Sequence, residues 1–129
     1  MHITTPLADE LGRYLDLATQ RMQLIAGNMA NVDTPGYRTQ DIDFQKEFSR
    51  VAGEVAADRG PQGTGAGALH TPPQIEAVDG LLERPDGNNV SIDRESMALG
   101  ELQLQFRTGS ALLKREFTRM SEAIHEDGK

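Results

Sequence analysis

The sequence predicts an all-α dominated fold, with long N- and C-terminal helices pairing as a coiled-coil-like bundle around an irregular, glycine-rich middle that holds at most a short β-hairpin. Three observations lead there. Apolar residues recur at alternating spacings of 3 and 4 in both terminal segments, the rhythm of a helix packing along a seam. Residues 60–68 read Gly-Pro-Gln-Gly-Thr-Gly-Ala-Gly-Ala, with almost nothing to bury. Only 37% of the 129 residues are hydrophobic, with four Phe, two Tyr and no Trp, which is little bulky material for a globular core of this length. The organisation expected is therefore 1–33 as the N-terminal helix of the core, 34–93 as a turn motif, extended segment, flexible loop and hairpin, and 94–129 as the C-terminal helix.

In the first segment Leu11, Leu15, Ala18, Met22, Ile25, Met29 and Val32 carry the stripe. Thr5 suits an N-cap, Pro6 follows where its missing N–H costs nothing, and Asp9 and Glu10 favour the positive pole of the helix dipole. A helix from Pro6 to about Asn28 is predicted. Next, Asp41-Ile42-Asp43-Phe44 and Phe48 suggest an extended stretch and then a helix to about Val55. The runs Gln74–Val78 and Leu81–Glu83 flank Asp79-Gly80, a two-residue hairpin signal, and Pro85-Asp86-Gly87 is a second turn signal. In the last segment the rhythm returns at Leu99, Leu102, Phe106, Gly109, Leu113, Phe117, Met120 and Ile124. Asp93 is the expected N-cap of a helix from Arg94 to about Glu126, with Ile92 stapled to Met97. Gly109 falls on the seam itself, either as a tolerated weak spot or as the place where a neighbouring helix comes close.

Composition excludes several functions. Thirteen Lys and Arg against twenty Asp and Glu leave a net charge of −7, which repels a phosphate backbone, so no nucleic-acid partner is expected. With no Cys there is no disulfide, thiolate or cysteine-based metal site. His2, His70 and His125 lack the spacing of metal ligands, Asp41 and Asp43 read as solvated carboxylates, and no nucleophile motif is present. Neither enzyme activity nor a cofactor or metal is expected. The glycine-rich run is not a phosphate-binding loop, since no Lys-Ser/Thr follows it. No window approaches a membrane span, and the N-terminal residues do not look like a Sec signal.

One stretch is more specific than any of this. Asn28-Met29-Ala30-Asn31-Val32-Asp33-Thr34-Pro35-Gly36-Tyr37-Arg38 ends the first stripe. Pro35 disfavours helix at Thr34, Pro35-Gly36 makes a type II turn pair, and Asn31 or Asp33 can cap freed backbone groups. A plain helix stop needs two or three of these residues. Taken whole, the stretch resembles the Asn-x-Ala-Asn-x-x-Thr-Pro-Gly-Tyr signature of bacterial flagellar rod and hook proteins, carried here by Asn28, Ala30, Asn31, Thr34, Pro35, Gly36 and Tyr37. Within those axial proteins the resemblance narrows to the FlgB family of proximal rod subunits, through Arg38–Phe44 and through Asp86-Gly87-Asn88-Asn89-Val90-Ser91-Ile92-Asp93-Arg94-Glu95. It covers about 7–48 and 86–124. Gln105-Phe106-Arg107 departs from the family's Arg-Tyr-Gln-like run.

The resemblance implies a subunit exported unfolded through the flagellar type III apparatus, without a Sec signal. In the periplasm it would polymerise through its terminal helices into a torque-transmitting tube with a central export channel. Implied partners are further copies of the chain, the rod proteins FlgC and FlgF, a FliE-like adaptor and the export apparatus, with no membrane insertion. Two readings compete: another rod subunit such as FlgC, or a soluble coiled-coil adaptor or chaperone.

Overall fold

A computed structural model describes residues 4–58 and 71–126, so the glycine-rich run, His2 and His70 lie outside the described residues. Helix α1 spans Pro6–Ala30, strand β1 Gln40–Asp41, helix α2 Phe44–Asp58, strand β2 Glu76–Ala77 and helix α3 Ile92–Glu126. The helix-dominated fold with long terminal helices is the one the sequence predicts.

Helix α1 starts as expected: the Thr5 hydroxyl oxygen accepts from the Ala8 N–H at 3.1 Å, and Pro6 occupies the first helical position. The start of α3 differs from the prediction. Ser91, not Asp93, caps it, accepting from the Arg94 N–H at 3.3 Å through its hydroxyl while its carbonyl takes the Glu95 N–H. Ile92 thus lies inside the helix, and Met97 is 77% exposed, so the staple is not built. The hydroxyl of Ser91 is compact and sits two residues earlier, where the backbone is still turning out of the preceding segment.

The two long helices run antiparallel, because Thr5 meets Glu116, Leu15 meets Gly109 and Asn28 meets Glu95. At about 1.5 Å per residue the 25 residues of α1 extend roughly 37 Å and the 35 of α3 roughly 52 Å. Since Glu116 already stands at the N-cap of α1, the last turns of α3 run on past it. The core sits toward the other end, where Ala18, Ile25, Ala98 and Leu102 are buried and Met22, Met29, Phe44 and Leu99 pack on them.

Asp43 accepts from the Lys46 N–H at 3.1 Å and caps α2. Phe44 and Phe48 from the first turns of α2 meet the Tyr14 ring edge-on at 5.2 and 5.3 Å, which docks α2 on α1 with Val51 buried. The hairpin expected around Asp79-Gly80 does not form. Instead β2 pairs antiparallel with β1, Gln40 opposite Ala77 and Asp41 opposite Glu76, and the Val78 N–H extends the contact to the Thr39 carbonyl at 2.9 Å. Leu82 is 92% exposed, so a local hairpin would have placed it on no apolar face, whereas the long-range pairing satisfies backbone groups beside the core.

Candidate functional site at the motif junction and helical seam

The motif is built as a turn clamped between two parts of the chain. Asn31 closes α1, its amide donating to the Gly27 carbonyl at 2.7 Å, and the Thr34 hydroxyl donates to its Oδ1 at 3.1 Å. The Tyr37 N–H then reaches the Thr34 carbonyl at 3.2 Å with Gly36 at φ +74°, the geometry of a type II turn with glycine third. Ala30, Thr34, Pro35 and Gly36 face outward. Asn28, by contrast, is fully buried and uses its whole hydrogen-bonding capacity: its amide donates to the Gln40 carbonyl at 2.7 Å and to Glu95 at 3.1 Å, and its oxygen accepts from the Tyr37 hydroxyl and the Gln40 N–H, each at 3.1 Å.

The lead-in to α3 grips this turn from the other side. Gly36 donates its N–H to the Asp86 carbonyl at 2.9 Å. The Asn88 amide donates to the Asn31 and Thr34 carbonyls at 2.9 and 2.8 Å. Asn89 Oδ1 accepts from the Thr39 N–H at 2.7 Å, and Arg84 bonds the Val32 carbonyl. The two segments that carry the family resemblance, far apart in sequence, therefore form one interlocked junction.

Behind it lies a buried ionic relay. Arg21 donates twice to Asp41, at 2.9 and 3.1 Å, Arg94 donates to Asp41 at 2.9 Å and to Glu95 at 2.6 Å, and Glu95 is wholly buried. Burial pushes the Asp41 carboxyl upward, but the bonds from Arg21, the Ile42 N–H and Arg94 together outweigh it and hold Asp41 below the usual carboxylate range. Arg21 is correspondingly held above its ordinary value by its bond to Asp41. Asp41 is thus a paired carboxylate rather than the solvated one the sequence suggested, because the ladder with β2 turns its side chain toward α1. Asn88, Asn89, Arg94 and Glu95 stand in the run that carries the resemblance, but their hydrogen-bonding parts, like that of Arg21, were not read from the sequence. The available signal was an Asn-Asn pair directly after a turn glycine and before a helix.

The anticipated seam divides along its length. Ala18, Ile25, Leu102 and Gly109 are buried, and Leu11, Leu15, Met22, Met29, Leu99, Leu113 and Met120 are half-buried. Phe106, Phe117 and Ile124 remain exposed, at 38%, 49% and 62%. They lie on one flank of α3, which α1 alone does not cover. At Gly109 the sharper of the two readings holds. An added Cβ would meet Leu15 Cδ2 at 3.0 Å and the Tyr14 ring at 3.2 Å, so α1 comes close there. Along the open flanks run two grooves, one of about 560 Å³ beside Leu15, Leu113 and Phe117 and one of about 300 Å³ beside Leu7, Leu11, Tyr14 and Leu112. Among the described residues no group of acidic or histidine side chains could hold a metal, and no helix is long and apolar enough to cross a membrane.

A locked helical hairpin with apolar flanks left open is the architecture of a subunit that completes its core in an assembly. No protein-family model matches the chain. It is similar to the flagellar basal body rod protein FlgB of Salmonella typhimurium, 36% identical with 85% of this chain and 86% of the relative covered. The FlgB proteins of Escherichia coli, 32% identical over 85% and 86%, and of Cereibacter sphaeroides, 33% identical over 93% and 97%, are similar as well. The chain belongs to the FlgB family of flagellar basal body rod proteins, a family of structural subunits.

Proposed function

We propose that this chain is a structural subunit of the proximal rod of the flagellar basal body, polymerising through its terminal helices into a tubular, torque-transmitting shaft with a central export channel. The observation that carries the reading is the open flanks of the α1–α3 hairpin, where Phe117, Leu112 and Leu7 stand exposed beside the two grooves and Ile124 is exposed further along α3. Two helices enclose too little volume to bury both stripes, so helices of neighbouring subunits supply the missing walls. A contact between unlike surfaces, repeated by a screw operation, builds an open tube instead of a closed ring. Neighbours are further copies and other rod proteins such as FlgC and FlgF, with a FliE-like adaptor at the base. The subunit acts in the periplasm, delivered by the flagellar type III apparatus, and performs no catalysis. The FlgB relatives favour this over FlgC or a soluble adaptor.

The test is location and incorporation. A tagged chain expressed in a strain lacking its FlgB should restore swimming and co-purify with basal bodies. A chain that stays in the cytoplasm while swimming is restored would instead identify an adaptor.

A further inference from the structure

A wholly buried carboxylate on a helix–helix seam calls for a physical reason, and the seam itself suggests one. In the observed alignment Leu15 faces Gly109 and Asn28 faces Glu95. Slide α3 by seven residues and Leu11 would face Met120, Ala18 would face Leu113, Ile25 would face Phe106 and Met29 would face Leu102. All of these remain apolar on apolar. Because α3 has 35 residues and α1 has 25, α1 would stay covered along its length after the slip. The repeating rhythm that pairs the helices therefore discriminates weakly between the two alignments, and the clearest apolar cost is Glu116 set against Leu15.

We propose that Asn28 and Glu95 are the register pin of the α1–α3 hairpin, the pair that selects the observed alignment over a slip of one heptad. Asn28 has no spare hydrogen-bonding capacity, since Gln40, Tyr37 and Glu95 consume it. Glu95 divides its two oxygens between Asn28 on α1 and Arg94, which continues through Asp41 to Arg21. A slip of about 10 Å, seven residues at about 1.5 Å, withdraws Glu95 from Asn28 on α1, strands buried polar groups on both sides and draws Asn88 and Asn89, just ahead of α3, off the turn they hold. A buried polar pair in a largely apolar seam is an established way to specify register, and the seam's other buried carboxylate, Glu116, sits at its far end against Thr5. Register also sets how far α3 extends beyond Thr5, hence the length of the stub carrying Phe117 and Ile124. That consequence rests on the assembly reading, while the pin does not.

The chain has no cysteine, so introduced pairs report cleanly. Leu11→Cys with Leu113→Cys reads the observed register, and Leu11→Cys with Met120→Cys reads the slipped one, both by disulfide yield in the purified full chain. In the otherwise unchanged chain the 11–113 product should dominate. In Glu95→Leu/Leu102→Glu, which moves the carboxylate one heptad along α3, the 11–120 product should rise at least tenfold relative to 11–113. Adding Asn28→Ala should abolish that rise, which separates pairing with Asn28 from mere avoidance of a buried charge at 102. Glu95→Gln, which keeps an acceptor for Asn28, should retain the original ratio. The proposal is overturned if 11–113 still dominates in the moved-carboxylate variant. It is equally overturned if that variant loses its helical circular dichroism with no 11–120 product, since the pair then supplies stability without register. None of these readouts requires polymerisation, so failure here is distinct from failure of the rod assignment.

Discussion

The same substitution at two glycines of α3 should have opposite signs. Gly100 and Gly109 both sit inside the helix, and replacing an interior helical glycine by alanine gains about 1 kcal/mol from backbone entropy. At Gly100 nothing lies within 4 Å of the added Cβ, so Gly100→Ala should keep the whole gain and stabilise the chain by about 1 kcal/mol. At Gly109 the Cβ lands 3.0 Å from Leu15 Cδ2 and 3.2 and 3.3 Å from two Tyr14 ring carbons. The leucine methyl can rotate away. The tyrosine ring has less freedom, since Phe44 and Phe48 both pack edge-on against it at 5.2 and 5.3 Å. Overpacking of this kind costs about 1–3 kcal/mol, so Gly109→Ala should come out between neutral and about 2 kcal/mol destabilising. Urea unfolding followed by circular dichroism measures both, with the midpoint moving and the slope constant. If Gly109→Ala stabilises as much as Gly100→Ala, the close approach of α1 at Gly109 is not a real constraint on the seam.

Three further outcomes follow from the junction and the open flank. Gly36→Val should destabilise the folded chain by about 1–3 kcal/mol, because φ is +74° there, while Gly36→Asn should cost clearly less; both are read by urea unfolding, and equal losses would mean backbone conformation is not the cause. Asp41 titrates below its unfolded value of 3.8, so its stabilising contribution is complete above about pH 4 and disappears as pH falls through the lower folded value; Asp41→Asn should remove that part of the acid dependence in unfolding midpoints measured from pH 6 to pH 2. Leu113→Asp, at a half-buried position beside Leu15 and Phe117, should cost the isolated chain about 1 kcal/mol or less yet abolish incorporation into basal bodies, leaving a secreted subunit and no swimming.

What the sequence determined by itself is local. The helices and their approximate ends were legible because a period near 3.6, a Thr5 cap and a proline at the first helical position act within a few residues of each other. The turn was legible because Pro35 and Gly36 restrict their own backbone angles. Tertiary structure decided everything that depends on a distant partner. The glycine at position 80 and its neighbours signal a hairpin equally well whether or not one forms, and only the proximity of Gln40–Asp41 to Glu76–Ala77 chose the actual ladder. Asp93 and Ser91 are both competent caps, and the direction in which the chain leaves the junction favoured Ser91. Above all, no local pattern distinguishes a solvated carboxylate from a buried one. Asp41 and Glu95 are buried because Arg21, Asn28 and Arg94 arrive from other parts of the chain with hydrogen bonds that replace water, and that exchange exists only once the helices have met.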